Sequence, residues 1–395
     1  MPASPIRKLA PLAYEAEDRG VKIYRLNIGQ PDLPTPQKAL DALKNVDRRT
    51  LEYSPSQGYK SLRKALVNYY KRYQIKLTAD EIIITAGGSE AVLFAFMSCL
   101  NPGDEIIVPE PAYANCMAFA VSAGAVIRTV TTTIDEGFCL PKVERFEELI
   151  NERTKAILIC NPNNPTGYLY TQKEMNQIRD LVKKHNLYLF SDEVYREFIY
   201  TGSPYISAMH LEGIEQNVVL IDSVSKRYSE CGIRIGALIT KNEAVRKTVM
   251  KFCQARLSPP LIGQIVAEAS IEGTEAYSRE VYEEYLERRK CLIDGVNRIP
   301  GCYTPIPMGA FYTVAKLPVD DAESFCEWCL SEFSWKDEDT PEGCVGETVM
   351  MAPAAGFYTT PGSGIDQVRL AYVLCKEDIQ RALFVLERAL EAYNL

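Results

Sequence analysis

Short apolar runs alternate with longer segments of helical periodicity over residues 81–239. This alternation is typical of a mainly parallel sheet covered by helices, because each pair of parallel strands needs a crossover connection. The pattern predicts seven strands, at residues 81–85, 105–108, 125–130, 155–160, 187–190, 218–221 and 233–239. We therefore expect an α/β fold built on one large sheet.

Helical segments fill the spaces between these strands. One helix is predicted at residues 89–100, directly after the Gly87-Gly88 turn. Another begins at Thr171, which has capping-box spacing to Glu174 and is followed by helical periodicity to about residue 184. A longer helical stretch over residues 262–297 has the character of a connector between domains.

Beyond this connector the pattern becomes a mixture of strands and helices. It predicts strands at residues 310–315, 349–352 and 368–373 and helices at residues 321–333 and 376–393. A chain of 395 residues also exceeds the size at which one hydrophobic core usually stops growing. We expect a large domain over residues 45–285 and a smaller α+β domain formed by both chain ends, residues 1–44 and 286–395.

Composition narrows the choice of partners. The 44 basic and 52 acidic residues give a net charge of -8, which argues against nucleic acid or an anionic membrane surface and favours small molecules. Prolines interrupt the first 20 residues, and the longest apolar run, residues 91–100, is half the length of a membrane span. Without an export signal, the twelve scattered cysteines indicate a reduced, cytoplasmic protein.

Two further features carry no site. Cys326 and Cys329 have the spacing of redox or metal sites, but they lie in a helical segment without a second pair or a nearby histidine, so packing is expected and no metal is predicted. The two histidines, His185 and His210, stand in no motif. Acid-base chemistry is therefore expected from other side chains.

The residues that follow the predicted strands are the candidates for chemistry, because ligands of α/β sheets bind at the carboxyl ends of strands. Gly88 and Ser89 follow the first strand and open a helix, whose free N–H groups favour a phosphate, although a purely structural turn is also open. Asn164 lies in a rigid loop after the fourth strand, where an ordinary turn remains the alternative. Asp192, with Tyr195 nearby, follows the fifth strand and could also be a helix cap.

The sixth strand is followed by the densest group of polar side chains. Ser223, Ser225 and Lys226 come in succession, and Arg234 begins the next predicted strand eight residues after the lysine. Two hydroxyls, an amine and a guanidinium converge on one strand end, which makes this group a candidate functional site. A solvated charge cluster is the competing interpretation.

Together these segments resemble the class I/II aminotransferases, which are pyridoxal-phosphate (PLP) enzymes of fold type I, over nearly the whole chain. The matching segments, in the family's order, are residues 26–32, Gly87-Gly88, Tyr113, residues 164–167, Asp192, Tyr195, residues 223–226 and Arg369. Agreement at all of these places is specific, although each motif alone is weak.

The resemblance implies a role for each residue around the cofactor ring. Lys226 would bind the cofactor covalently and afterwards act as general base and acid. Asp192 would keep the ring nitrogen protonated, which makes the ring an electron sink. Asn164 and Tyr195 would hydrogen-bond the ring oxygen, and Tyr113 would stack on the ring face.

The resemblance also implies a phosphate site, a substrate site and a dimer. Backbone and side chains at Gly88, Ser89, Ser223, Ser225 and Arg234 would hold the phosphate. Tyr53 matches a tyrosine that reaches the phosphate from the other subunit, so a homodimer with shared active sites is expected. Arg369 would bind the substrate's α-carboxylate, with the loop of Gly29 closing over it.

The implied reaction is a ping-pong transfer of an amino group between an L-amino acid and a 2-oxo acid, with aspartate and glutamate favoured. A PLP-dependent C–S β-lyase and a non-catalytic regulator of the same fold remain alternatives. An NAD-dependent oxidoreductase is less consistent, because no G-x-G-x-x-G motif follows a strand.

The sequence departs from the family pattern at two places, and no functional change is attached to the one at residue 233. Ile233 stands where many relatives have an aromatic residue, and Ser89 stands where one subgroup has a lysine that binds the distal carboxylate of the substrate. Arg256, just before the connector, is our candidate for that distal contact across a dimer interface. An ordinary surface charge is the alternative for Arg256.

Overall fold

The computed structural model describes residues 4–202, 204–273 and 275–393. Within these ranges the strands are β1 (Val21–Arg25), β2 (Ile82–Thr85), β3 (Glu105–Glu110), β4 (Val126–Thr131), β5 (Thr154–Cys160), β6 (Tyr188–Asp192), β7 (Val218–Ser223), β8 (Gly236–Ile239), β9 (Tyr312–Lys316), β10 (Gly346–Met350), β11 (Ala352–Pro353) and β12 (Gln367–Ala371). The α-helices are α1 (Ala10–Asp18), α2 (Gln37–Lys44), α3 (Lys60–Lys71), α4 (Gly88–Cys99), α5 (Ala114–Ser122), α6 (Val143–Glu147), α7 (Gln172–His185), α8 (Glu243–Arg256), α9 (Leu261–Ile271), α10 (Glu275–Val296), α11 (Ala322–Ser331) and α12 (Lys376–Tyr393).

A seven-stranded sheet forms the centre, with the strand order β2-β8-β7-β6-β5-β3-β4. β8 is antiparallel to both of its neighbours, and the remaining adjacent pairs are parallel. The expected α/β fold with a mainly parallel sheet is thereby confirmed. Apart from the edge strand β4, its strands read as mostly apolar runs because helices cover both faces, and successive residues point to opposite faces. Ile83, for example, packs in the cluster that contains α4 and α8, whereas Ile82 and Ile84 pack in the cluster of α3.

The helix predicted to begin at Thr171 is α7, and the structure confirms the predicted capping box at its start. The side chain of Thr171 accepts a hydrogen bond from the backbone of Glu174, and the Glu174 carboxylate accepts one from the Thr171 backbone at 2.7 Å. These two bonds satisfy donors that the first turn of a helix leaves unpaired. The helix ends at Asn186, whose left-handed backbone (φ 50°) stops the helical path.

Both chain ends contribute to a second region beside the sheet. β1 pairs in parallel with β10, and β11, β12 and β9 form a three-stranded antiparallel sheet. α1, α11 and α12 pack on these strands, and they share one core with α10. This layout is an α+β arrangement. The proposed limits of the two domains, at residues 45 and 285, stay a prediction.

Two predicted elements differ from the structure. The strand expected at residues 233–239 begins only at residue 236, because Arg234 has a left-handed backbone with φ 57° and ends a short 3-10 helix at Cys231–Ile233.

The connector expected at residues 262–297 is two helices, α9 and α10. Its break contains Gly273, a poor helix former, at the point where the chain passes from packing on α2 and α3 to packing on α12.

The C-x-x-C pair is confirmed as packing. Cys326 and Cys329 lie on the buried face of α11 within the core that both chain ends build, and burial raises the pKa of both thiols. Among the described residues, no group of three or more histidines, cysteines or acids is arranged to hold a metal ion. Within the same ranges, no helix combines the length and the apolar character that a membrane span requires.

Candidate active site

A cavity of about 520 Å³ opens where β5, β6 and β7 end, at Cys160, Asp192 and Ser223. The fold brings together there most of the residues expected from the sequence. The expected residues that line the cavity are Gly29, Gly88, Ser89, Tyr113, Asn164, Asp192, Tyr195, Ser223, Ser225, Lys226, Arg234 and Arg369. Tyr53 and Arg256 are not among its described lining residues.

Lys226 carries the only primary amine among the described residues of the cavity wall. It lies in the turn that follows β7, and its Nζ donates a hydrogen bond to the carbonyl of Gly29 at 2.7 Å. The thiol of Cys231 is 3.7 Å from the same amine. A side chain at position 29 would overlap the Tyr312 hydroxyl, so the close approach of this loop requires glycine. The N-terminal loop therefore lies directly on the amine.

Asp192 is a buried carboxyl with a vacant acceptor position. It ends β6 with 7% of its surface exposed, and the hydrogen bond recorded for its side chain is a long one, 3.3 Å, from the backbone N–H of Val194. Burial raises the pKa of Asp192 to about 7, and the Val194 N–H opposes this rise. A cationic N–H partner in the cavity would reverse the shift, because an ion pair favours the charged carboxylate.

Four side chains form a hydrogen-bonded chain across the cavity. Arg369 donates to Asn164 Oδ1 at 3.2 Å, and Asn164 Nδ2 lies 3.3 Å from the Tyr195 hydroxyl. The Tyr195 and Tyr312 hydroxyls are 3.1 Å apart. Burial raises the pKa of Tyr195, so its phenol stays a proton donor. This chain orients an amide, two phenols and a guanidinium toward one another.

Arg369 is a buried cation without a counter-ion in the described part of the chain. Another of its N–H groups donates to the carbonyl of Asn27, while its Nε has no hydrogen-bond partner. Burial lowers the pKa of its guanidinium, which is the direction expected for a cation that lacks an acid neighbour. A carboxylate that enters the cavity would supply the missing acceptor.

The opposite end of the cavity is suited to an anion. The hydroxyls of Ser223 and Ser225 are 2.8 Å apart, and α4 presents its N-terminal N–H groups at Gly88. The exposed guanidinium of Arg234 is held by the carbonyl of Cys231 at 3.0 Å. A Cβ at Gly87 would overlap that guanidinium, and Gly87 also has a φ of 81°, so glycine is required on both grounds. Hydroxyls, free N–H groups and a guanidinium together match a phosphate.

Tyr113 caps α5 on another side of the cavity. Its hydroxyl accepts a hydrogen bond from Asn115 Nδ2 at 2.7 Å, and burial raises its pKa. The amide of Asn115 therefore fixes the orientation of the phenol. Both residues line the cavity, with Tyr113 as the aromatic surface that a flat ring could contact.

Tyr53 and Arg256 lie elsewhere in the single chain. Tyr53 is 75% exposed. Arg256 lies 3.2 Å from the carboxylate of Glu90, donates to the carbonyl of Ser56 at 3.1 Å, and lines a neighbouring cavity. Both predicted roles involve a second subunit, which one chain does not test, so they stay predictions.

Sequence reasoning missed four residues at this cavity: Arg7, Asn27, Asn115 and Tyr312. Asn27 lies within the matching segment at residues 26–32, and its part at the site is the backbone carbonyl that accepts a hydrogen bond from Arg369. Tyr312 lies inside the predicted strand at residues 310–315, and its side chain reaches the cavity only through the pairing of β9 with β12. Nothing local distinguishes Arg7 from other charged residues in the sequence.

Comparison with known proteins identifies the family. The family model for aminotransferase class I and II matches residues 21–363. An aspartate aminotransferase of Pyrococcus horikoshii is 30% identical, over 98% of this chain and 95% of its own.

Solved structures agree on the fold and differ in their named substrates. The aspartate aminotransferase of Thermus thermophilus, determined with maleate, has a TM-score of 0.87 and 28% identity and covers 98% of this chain and 97% of its own. An alanine aminotransferase of Pyrococcus furiosus has a TM-score of 0.88 and 29% identity, with coverage of 99% and 98%. The chain therefore belongs to the class I and II aminotransferases, and it is a transaminase that uses pyridoxal phosphate.

Proposed function

We propose that this enzyme transfers the amino group of aspartate or glutamate to a 2-oxo acid by a ping-pong mechanism in the cavity described above. The proposal rests on the net positive charge of the side chains that line the cavity. Four basic side chains, Arg7, Lys226, Arg234 and Arg369, and one carboxylate, Asp192, are among its described lining residues. Such an excess of positive charge favours a dianionic substrate beside a phosphate group. The name of the Pyrococcus horikoshii relative supports the same donor class.

The residues of the cavity fit pyridoxal phosphate. Among the described residues, the buried carboxyl of Asp192 receives one long hydrogen bond, which leaves it able to accept another from a protonated ring nitrogen. At the far end, the paired hydroxyls of Ser223 and Ser225 and the guanidinium of Arg234 suit the phosphate. When bound, pyridoxal phosphate supplies a carbonyl carbon for the substrate's amino group and a ring that delocalises electrons from the Cα–H bond.

Asp192 has the task of holding a proton at the ring nitrogen. Its pKa of about 7 would fall once the ring N–H donates to it, and the ionised carboxylate then stabilises the positive charge of the ring. The Asn164 amide and the Tyr195 hydroxyl, which lie 3.3 Å apart, would hydrogen-bond the ring oxygen, and Tyr113 would contact the ring face.

Lys226 is the proposed base. Its amine would hold the cofactor covalently until the amino group of the substrate takes its place. The released amine would then accept the proton from the substrate's Cα as a general base and donate a proton back as a general acid. Its hydrogen bond to the Gly29 carbonyl supports a part for the N-terminal loop in keeping the released amine within the cavity. Positioned proton transfer of this kind contributes about a hundredfold to ten-thousandfold in rate.

Arg369 is the proposed site of the α-carboxylate. Its unpaired Nε and its lack of an acid neighbour among the described residues leave the planar fork open to a bidentate partner. Asn27 and Asn164 hold the guanidinium in place by hydrogen bonds. The Tyr312 ring lies 4.6 Å from the Arg369 guanidinium, and its hydroxyl donates to the Gly29 carbonyl at 3.4 Å, so the Gly29 loop lies beside Arg369 and would keep water from the reacting carbon.

We also propose a homodimer with shared active sites. The support is the exposure of three apolar side chains: Leu51 is 64% exposed, Tyr53 is 75% exposed and Leu257 is 49% exposed. In such a dimer Tyr53 would reach the phosphate of the other subunit, and Arg256 would face its substrate. Twelve unpaired cysteines are consistent with a reducing, cytoplasmic location.

A spectral screen with single amino acids tests the proposed donor class. The purified holoenzyme should lose the absorption band of its bound cofactor with aspartate and glutamate at lower concentrations than with alanine or phenylalanine. Addition of 2-oxoglutarate after aspartate should restore the band, because the second half-reaction returns the cofactor. Release of pyruvate and ammonia from a thioether amino acid, without a response to aspartate, would identify a β-lyase and contradict the proposal.

A further inference from the structure

Arg7 is the one basic side chain of the cavity without an assigned partner. Lys226 serves the cofactor, Arg234 the phosphate and Arg369 the α-carboxylate, so three of the four cations have a task. In the described part of the chain, no ion pair or hydrogen bond is recorded for the Arg7 guanidinium, which is exposed at the cavity wall. From this excess of one cation we infer that Arg7 binds the distal carboxylate of a dicarboxylic substrate. The inference rests on the function proposed above.

The backbone around Arg7 is fixed relative to Arg369. Asn27 Nδ2 donates to the carbonyl of Ile6 at 3.1 Å, and the carbonyl of the same asparagine accepts from Arg369. Pro5 packs so closely on Gly356 that a Cβ there would overlap it. The turn before α1 is thereby attached to the residue that holds the other end of the substrate. A guanidinium on this turn would therefore lie in a fixed position relative to Arg369 and would distinguish substrates by the length and charge of their side chains.

Neighbouring cations are engaged elsewhere. Lys8, the next residue along the chain, forms an ion pair with Glu323. Arg256, the candidate from the sequence, lies 3.2 Å from Glu90 and bonds the Ser56 carbonyl at 3.1 Å. Among the described residues, Arg7 therefore differs from these two in having no carboxylate partner.

The chemistry of recognition follows from this position. Aspartate or glutamate would place its α-carboxylate at Arg369 and its second carboxylate at Arg7, so both ends of the substrate are bound by guanidinium groups. Alanine leaves Arg7 in water and gains nothing from it. Since the contribution of Arg7 arises only with a second carboxylate, it acts on selectivity and not on the transfer of the proton.

Matched variants of the holoenzyme test the inference. Arg7→Gln removes the charge, Arg7→Lys retains it, and Lys8→Gln removes the adjacent charge outside the cavity. For each, we would measure kcat/KM for aspartate and alanine, and the dissociation constants of succinate and butyrate, which cannot react. Arg7→Gln should lower the aspartate-to-alanine ratio and weaken succinate relative to butyrate by about tenfold to a hundredfold. Arg7→Lys should restore part of both ratios, and Lys8→Gln should leave both as in the wild type.

Three outcomes would overturn the inference. Unchanged ratios in Arg7→Gln, with a wild type that prefers aspartate and succinate, would remove Arg7 alone and leave the proposed donor class intact. Loss of the preference in Arg256→Ala but not in Arg7→Gln would transfer the role to Arg256. A wild type that shows no preference for aspartate or succinate would contradict the proposed donor class and the inference together.

Discussion

Replacing Asp192 by asparagine should stabilise the cofactor-free protein at alkaline pH. Burial raises the pKa of this carboxyl from 3.8 to about 7. Because the folded-state pKa lies above the unfolded value, the carboxyl favours folding only while it is protonated, and free energy of unfolding is lost as the pH rises from about 4 to 7. The shift of about three pKa units corresponds to a cost of about 4 kcal/mol at pH 8, of which about 2 kcal/mol is already present at pH 5.

Asparagine has nearly the same shape and does not titrate. The free energy of unfolding of Asp192→Asn relative to wild type should therefore increase by roughly 2 to 3 kcal/mol between pH 5 and pH 8. Urea denaturation of both proteins, freed of cofactor, measures this difference at the two pH values. Asp180→Asn, on the exposed side of α7, controls for the loss of a carboxylate. A difference between Asp192→Asn and wild type that does not depend on pH would show that Asp192 has a partner and does not titrate near 7.

With pyridoxal phosphate bound, the same substitution should be harmful. The carboxylate then stabilises a protonated ring nitrogen, and asparagine does not. Breaking a buried ion pair costs about 3 to 5 kcal/mol, so the half-reaction with aspartate should slow by about a hundredfold to a few thousandfold. Stopped-flow absorbance at saturating pyridoxal phosphate measures this rate. A near-normal rate would refute the role of Asp192, even if the pH dependence of unfolding were as expected.

Lys226→Ala should bind the cofactor without a covalent bond and lose about a hundredfold to ten-thousandfold in rate, and borohydride reduction followed by peptide mass analysis should label Lys226 in the wild type alone. A label on another lysine would refute the assignment. Arg369→Lys should lower kcat/KM by about tenfold or more for every amino donor alike, since Lys lacks the bidentate fork; a loss confined to aspartate would contradict this. Tyr53→Phe should raise the dissociation constant of pyridoxal phosphate by about twofold to tenfold in the dimer, with unchanged binding in a monomeric form. Equilibrium dialysis measures this dissociation constant, and sedimentation identifies the dimer and the monomeric form.

The sequence by itself determined the large sheet and the positions of the chemically active residues that follow its strands. All seven predicted strands exist, and six of them, all but the edge strand β4, are largely buried and leave an apolar run that local reading detects. Asp192 and Lys226 were found for a related reason, since both follow such runs at the edge where parallel strands present ligands. Their positions along the chain, at the ends of predicted strands, were enough to identify these two residues.

Only the tertiary structure decided which other side chains join them. Tyr312 and Arg7 reach the cavity from the two ends of the chain, Tyr312 through the pairing of β9 with β12 and Arg7 through the hydrogen bond from Asn27 to Ile6. The pairing of Arg256 with Glu90 likewise joins residues far apart in sequence. These contacts depend on how separate elements pack, and a local pattern of apolar and polar residues does not record that packing.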